Sequence, residues 1–403
     1  MTSAACRPRA LVIGGSLGGL FAANLLLRQG WEVDVFEHSG KALAGRGAGI
    51  ITHPGLFACL KRIGIAIDDS FGVDIPERVT FDRDGTTLAT LPLPQCLTTW
   101  GRLYELLKNA FPAERYHFGC SFSRLEQNTG SVTAHFAGGA EATGDLLLGA
   151  DGIRSAVRAQ LLPEAKPLYA GYVAWRGLAD ETAFSTHTHR ELFPRFAFCL
   201  PAREQMLGYP VAGFTNSTQP GRRCYNFVWY RPAQESRELQ HLCTDIAGRS
   251  HDMAMPPPLI RPEVLAATRH AADELLAPQF AEVVRHTRQP FFQAIFDLES
   301  PRMVFGRAAL LGDAAFVARP HCGMGVTKAA GDAMLLADAL RDADNDISAA
   351  LVAYEAKRTQ VGSAVVGYGR ELGAYLQGSS DAEAARHHTP QAVMREIATH
   401  EFA

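Results

Sequence analysis

The chain has 403 residues, 47% of them hydrophobic and 20% charged, enough to bury a large core and, at about 100 to 200 residues per packing unit, to form two domains. Its 39 basic and 42 acidic residues are interspersed and leave a net charge of −3, which excludes a surface built for nucleic acid or anionic membrane and points to a small-molecule partner. The eight cysteines show no CxxC spacing and Ala10 to Leu27 is broken by four glycines, so no metal site, redox dithiol, export signal or membrane span is expected, and the thiols suit a reducing cytoplasm.

Ala10-Leu11-Val12-Ile13 is an apolar run closed by Gly14-Gly15, the pattern of a buried strand ending in a tight turn. Leu17 to Arg28 has helical spacing, Gly30 stops it, and Trp31 to Glu37 alternates as a second strand, completing a strand-helix-strand unit. Arg78 to Phe81 and Thr86 to Leu91 flank Asp84-Gly85 as a hairpin, Gly101 to Phe111 reads as a helix, and Asp145 to Ala150 as a buried strand. Between Gly171 and Tyr230, short runs rich in aromatic and β-branched residues predict an antiparallel sheet. After Pro256-Pro257-Pro258 the pattern predicts a helical region from Glu263 to His286, a strand from Met303 to Leu311, and helices over Gly325 to Arg341 and Ile347 to Leu376. The polar tail beyond Gly378 is expected to be loosely held.

Three constellations carry chemistry. In the first, Gly14-Gly15-Ser16-Leu17-Gly18-Gly19 joins strand to helix and Glu37 ends the next strand, about 20 residues on, as in a dinucleotide fingerprint. Gly14 permits the turn, Gly19 the close helix packing, and free amides at the helix start favour a pyrophosphate. Ser16 replaces the second glycine, and its small side chain still fits and can donate to phosphate. In the second and third, the runs 146–150 and 308–311 lead into Asp151-Gly152 and Gly312-Asp313, each acid lying just beyond a buried strand, where ligands bind in open α/β sheets. Such an aspartate alone is more often a helix cap, and it is the three motifs together that argue for a ligand.

In this order, from about Ala10 to Arg358, the motifs resemble those of the flavoprotein aromatic hydroxylases typified by para-hydroxybenzoate hydroxylase. The resemblance implies an α/β fold: a Rossmann-like FAD-binding domain with a parallel sheet, a substrate domain on a mainly antiparallel sheet, and C-terminal helices. The corresponding ranges are 1–75, 98–168 and 290–345 for FAD binding, 76–97 and 169–289 for substrate, and 346–403 for the last helix and tail. It further implies that Gly14, Ser16, Leu17, Gly18, Gly19 and Glu37 hold the ADP half of FAD, that Arg46 contacts phosphate or ribose, and that Asp151, Gly152 and Arg158 serve both FAD and NADH or NADPH. Asp313 is implied to bind the ribitol chain, and Pro320, Gly323, Met324 and Gly325 to meet the flavin ring, where a helix N-terminus stabilises the anionic reduced form. Many relatives carry an arginine where this chain has Trp100, and Arg102 is the nearby candidate for its contact.

The implied reaction uses NAD(P)H and O2, and through a flavin hydroperoxide hydroxylates an electron-rich ring from which water is excluded. The segments 170–177, 226–230 and 319–321 are similar to those of hydroxypyridine-hydroxylating members, making a hydroxypyridine the first expectation and a phenolic acid, held by Arg319, the second. A flavin oxidase or an inactive flavin-binding protein is the remaining alternative, and a homodimer is one expectation for the assembly. Ring-pocket candidates are Phe198, Tyr209, Phe316 and Arg319. His53 and His321 are the groups able to share a proton near neutral pH, with Tyr209 beside them; His321 is preferred because it follows a flavin segment. Either histidine can instead merely satisfy a neighbour, and Trp175 and Trp229 are assigned to the core.

Overall fold

A computed structural model of the chain describes residues 7–41, 43, 49–251, 255–344, 346–378 and 382–402. The apolar run near the start forms the strand Arg9–Ile13, buried from Ala10 onward, at the heart of a six-stranded sheet. It pairs in parallel with Glu32–Glu37 on one side and Leu146–Gly149 on the other. Ala308–Leu310 adds a parallel strand beyond Leu146–Gly149, with Val304–Phe305 antiparallel at that edge and Tyr116–Phe118 at the opposite edge. The strands are buried on both faces because helices cover them, which is why they read as continuous apolar runs. The Leu17–Arg28 helix packs against the Gly325–Asp342 helix.

The second sheet has nine strands. Leu168–Asp180, Cys224–Pro232, Gln205–Val211 and Arg195–Cys199 are successive antiparallel neighbours, Val73–Phe81 joins Arg195–Cys199 in parallel, and Thr87–Thr99 returns from it as the hairpin partner. One face packs under the Pro262–Leu275 and Pro278–His286 helices, where Trp175 and Trp229 lie in the core. The other face carries Phe196, Phe198, Leu207 and Tyr209.

Two expectations change. Phe291–Glu299 pairs with Leu168–Asp180, and Gly49–Ile51 with Thr87–Thr99, so the range expected to change domain at 290 remains in the second sheet to 299, which also recruits a strand from within the first 75 residues. Strand pairing, invisible to local pattern, decides this. The tail is not loosely held either: the Pro390–Glu396 helix and the residues after it pack on the aromatic face of the second sheet, with Val393, Met394, Ile397 and Ala398 at most 2% exposed. Four apolar residues among polar ones were enough to dock it. Among the described residues, no helix is long and apolar enough to cross a membrane, and no group of side chains could hold a metal ion.

Candidate active site

The first loop shows why its sequence is rich in glycine. Gly14 has φ +104°, and a methyl group there would overlap the Ala150 carbonyl; one on Gly19 would overlap the Gly14 carbonyl. The turn therefore lies flat against the end of the neighbouring strand and brings Ser16 to the N-cap of the Leu17–Arg28 helix. Ser16 makes no side-chain cap, so its hydroxyl and the first-turn amides are free for a ligand. Leu17 is buried under the turn, and a methyl group on Gly18 would stand 3.2 Å from the Leu311 side chain. Glu37, 3% exposed, accepts the Gly15 amide and the Ser39 amide, both at 2.9 Å. Tyr116, which sequence reasoning did not single out, donates its hydroxyl to the Gly15 carbonyl at 2.9 Å. A turn closed to side chains, an uncapped helix start and a buried carboxylate beside them fit the pyrophosphate and ribose of a dinucleotide.

The other two loops meet beside this turn. Asp151 receives the Ser155 hydroxyl at 2.5 Å and the Ala156 and Val157 amides at 2.7 and 3.2 Å, so it caps the short Ala156–Leu161 helix, while Gly152 turns the chain at φ +77°. Arg158 donates to the carbonyls of Ile153 at 2.5 Å and Ala314 at 2.9 Å, tying the Asp151 loop to the Asp313 loop. All the described bonds of its guanidinium are to protein carbonyls, so it shapes the cleft from behind. Asp313 has an exposed side chain with protein close around it, the situation of a residue on a cleft floor; burial raises its carboxyl, opposed by Lys328 and reinforced by Asp332.

Behind Asp313 is a group the sequence reading missed. Gly312 donates its amide to Asp332 and accepts from Lys328 Nζ, both at 2.9 Å, and Arg358 closes on Asp332 at 2.6 Å. Its signal was present: Lys328 and Asp332 stand four apart on a helix face that is otherwise apolar. The Gly325–Asp342 helix begins with no side-chain cap, behind the Pro320–Cys322 turn and Gly323 at φ +65°; Met324 is buried beneath. Arg46 lies outside the described residues. Arg102 turns to the Ser70 hydroxyl at 2.7 Å and to Glu105 at 3.6 Å.

The ring-pocket candidates separate. His321 is fully buried, with Nε2 2.9 Å from the Tyr172 hydroxyl and Nδ1 3.1 Å from Gln205 Oε1, and burial, with Arg319 and His388 nearby, pushes it down to about 3. Both nitrogens meet protein partners, so His321 is held as a buried, hydrogen-bonded ring. Arg319 is likewise committed: its guanidinium bonds Asp297 at 2.9 Å and Gln377 at 2.9 Å, which corrects its assignment to a substrate carboxylate. Phe316 lies on the Phe316–Val317 edge strand of the second sheet, paired with Phe291–Glu299, and its ring packs against Gly362 of the Ile347–Gly373 helix.

His53, in contrast, is buried at the N-cap of the Pro54–Ile63 helix, and among the described residues its Nε2 meets no partner at hydrogen-bond geometry, with the Gly323 backbone lying beside the ring. That nitrogen lies 3.5 Å from the Cβ position of Gly323. Burial lowers its imidazole, the Glu401 carboxylate and the Gly323 carbonyl raise it, and Arg78 lowers it further. Tyr209 lies against Gly49 and edge-on to Phe196 at 4.8 Å, and Phe198 stacks on Phe196 at 4.8 Å. Burial raises the Tyr209 phenol, so it is a neutral hydrogen-bonding group and not a base. Arg78, also missed, is fully buried over Phe196 with one guanidinium nitrogen unpartnered.

A family model described as FAD binding domain-like matches residues 169–297, and one described as FAD binding domain matches residues 267–368. The fold and these loops thus define an FAD-binding oxidoreductase. The chain is 32% identical over 373 residues to 2,6-dihydroxypyridine 3-monooxygenase of Paenarthrobacter nicotinovorans, covering 92% of this chain and 91% of the relative. It is 30% identical over 368 residues to an FAD-dependent urate hydroxylase of Klebsiella pneumoniae, covering 87% of this chain and 85% of that one. The solved structure of 2,6-dihydroxypyridine-3-hydroxylase from Arthrobacter nicotinovorans superposes with a TM-score of 0.87 at 31% identity, over 93% of this chain and 94% of the other. Klebsiella pneumoniae HpxO complexed with FAD and uric acid gives 0.79 at 26%, over 97% and 93%. The chain belongs to the FAD-dependent aromatic monooxygenases, and FAD is its cofactor.

Proposed function

We propose that the protein hydroxylates an electron-rich hydroxypyridine, or a closely similar nitrogen-containing ring, with NADH or NADPH as electron donor and O2 as the oxygen source. The observation that carries this reading is His53: a buried imidazole whose Nε2 has no hydrogen-bond partner among the described residues, beside Gly323, in a chain similar along most of its length to a dihydroxypyridine monooxygenase. The six-stranded sheet and its loops form the flavin-holding unit, and the aromatic face of the nine-stranded sheet holds the ring. Gly14, Ser16, Leu17, Gly18, Gly19 and Glu37 hold the ADP half. Asp151, Gly152 and Arg158 shape the middle of the cleft, Asp313 takes the ribitol, and Pro320, Gly323, Met324 and Gly325 meet the ring edge.

When bound and reduced, FAD supplies the activated oxygen, one atom of O2 entering the ring and the other leaving as water. The chain supplies the rest. His53 Nε2, kept neutral by burial, takes the proton of a ring hydroxyl and so raises electron density at the carbon to be oxidised. Phe198 and Tyr209 form an apolar wall, and the Tyr209 hydroxyl orients a ring oxygen or nitrogen. The phenolic-acid alternative loses its anchor because Arg319 is bound to Asp297.

The test is NAD(P)H consumption by the FAD-loaded protein against hydroxypyridines and phenolic acids, with product mass followed. A hydroxypyridine that raises the rate and gains one oxygen supports the reading; stimulation by phenolic acids alone overturns the substrate class. In a protein that does hydroxylate, His53→Ala is expected to slow turnover by about 100-fold or more at unchanged FAD content.

A further inference from the structure

The segment after Gly378 is the part of the molecule least expected to matter, and it ends against the groups assigned above to the ring site. We propose that this segment supplies two positioning residues, Ala398 and Glu401, which hold the Gly323 turn and the start of the His53 helix together and close the ring site to water. The proposal rests on the flavin-site reading of the Gly323 turn given above.

The segment is pinned from both layers. Arg78 donates to the carbonyls of Met394 at 3.1 Å and Ile397 at 2.7 Å, where the Pro390–Glu396 helix ends and its carbonyls lack helical partners. Thr80 donates to the Pro390 carbonyl at 3.3 Å, and from the long Ile347–Gly373 helix Tyr368 donates to Glu396 at 3.1 Å. His400 and Phe402 then pack on the Tyr368 ring, with centroids 5.6 and 5.7 Å away. Arg78 has no carboxylate partner among the described residues, so the segment's carbonyls, with Gln95 Oε1 at 2.8 Å and the Phe196 ring, are what satisfy this buried cation.

Held in this way, the chain makes an unusual turn. Ala398 is fully buried at φ +53°, a left-handed conformation that a residue with a Cβ rarely keeps unless its surroundings fix it. Its amide donates to the His321 carbonyl at 3.0 Å, and its Cα lies 3.0 Å from the Cβ position of Gly323, so Gly323 is the residue on which it rests. Three residues on, the Glu401 carboxylate accepts the Gly55 amide at 2.6 Å. Gly55 stands second in the helix that His53 caps, and its amide is one that the helix itself cannot satisfy. One short segment therefore bonds to His321, rests on Gly323 and caps the His53 helix. Water exclusion decides whether activated oxygen reaches a ring or is lost as hydrogen peroxide, so a wall at this place has a function beyond packing.

The experiment compares full-length, FAD-loaded Ala398→Gly, Glu401→Ala and Glu401→Gln proteins with the parent. Two readouts are taken: iodide quenching of bound-flavin fluorescence, which needs no substrate, and, with 2,6-dihydroxypyridine as probe, hydroxylated product formed per NAD(P)H consumed. Glycine at 398 relieves the left-handed backbone while removing the methyl group, so a change in this variant does not reflect added strain. We expect quenching to rise about threefold in Ala398→Gly and Glu401→Ala at parent FAD content, with product per NAD(P)H falling about twofold and peroxide rising. Glu401→Gln keeps an oxygen for the Gly55 amide and is expected to match the parent in flavin quenching, the readout that does not depend on the Glu401 charge beside His53. Quenching unchanged in both, or FAD lost from Glu401→Ala, overturns the proposal, the latter because the segment then holds the fold and not the solvent boundary. Equal leakage in Glu401→Gln and Glu401→Ala overturns the Gly55 contact as the cause. A rise in quenching in a protein that hydroxylates none of the rings tested leaves the wall standing and removes the substrate reading.

Discussion

The Asp332 carboxylate holds the backbone amide of Gly312 at 2.9 Å, across twenty residues of sequence, and so sets the position of Asp313 next in the chain. It also neutralises Arg358, 5% exposed, and faces Lys328 at 3.6 Å. Asp332→Asn leaves two buried cations without their anion, and we expect a stability loss of about 3 kcal/mol and at least about tenfold weaker FAD binding. Thermal melting of the apoprotein and titration with FAD measure the two separately. Weaker FAD binding with unchanged apoprotein melting would place Asp332 in direct contact with the cofactor instead.

Gly14 and Gly30 both have positive φ, but only one is enclosed. A methyl group on Gly14 overlaps the Ala150 carbonyl, whereas one on Gly30 meets nothing within 4 Å. Gly30→Ala is expected to cost about 1 kcal/mol of stability and to retain FAD. Gly14→Ala should lose FAD, because the turn cannot stay against its neighbouring strand. Flavin absorbance after gel filtration distinguishes them, and equal FAD content in both variants contradicts the assignment of this turn.

His321 and His388 titrate at about 3 and about 4 in the folded chain, mainly through burial, against 6.5 for an exposed imidazole. Below 6.5 the unfolded chain takes up these protons and the folded one does not, so this part of the stability is complete above 6.5 and is withdrawn as pH falls towards the folded values. At ~1.4 kcal/mol per pKa unit, His321 alone removes a few kcal/mol across that window. We expect the Tm of His321→Gln to fall less steeply than the parent's between about pH 7 and about pH 4.5, although it starts lower. Parallel curves would mean that His321 is not buried as a neutral ring.

Arg319 and Asp297 form an ion pair with side chains 6% and 4% exposed. Asp297 also accepts from Arg370 at 3.0 Å, so Arg319→Met leaves it one cation and is expected to cost less than the ~3 to 5 kcal/mol of a fully stranded buried charge. Because the guanidinium is engaged by Asp297 and Gln377, KM for the aromatic substrate should change by less than about twofold in protein that remains folded. A KM increase of about 100-fold would return Arg319 to the substrate.

Features legible in the sequence were those with a local signature. The strand-helix-strand unit, the glycine turn and Glu37 follow from apolar period and glycine spacing, and the antiparallel character of the 171–230 region from its runs of aromatic and β-branched residues. Contacts made over long separations were not legible. Nothing near His321 announces Tyr172 or Gln205, which meet it from strands more than a hundred residues away, so its preference over His53 rested on proximity in sequence alone. The same holds for Arg319, whose partner arrives on Phe291–Glu299, and for Arg78, whose two carbonyl acceptors lie over three hundred residues later. The tail was misjudged because its apolar residues are too few for a periodic signal, although Val393, Met394, Ile397 and Ala398 are nearly fully buried.

The order of strands in the six-stranded sheet carries a kinetic consequence. Leu146–Gly149 sits between Arg9–Ile13 and Ala308–Leu310, so both of its partners come from distant stretches of chain, while the strands of the nine-stranded sheet from 168 to 232 follow one another closely. Closing long loops loses more chain entropy before any contact rewards it, and such pairings form late. The aromatic face therefore takes shape while the nucleotide cradle is still open, and a chain caught between these events exposes unpaired parallel edges. Free FAD, by binding only the closed form of the cradle, lowers the fraction of chains that reopen and expose those edges.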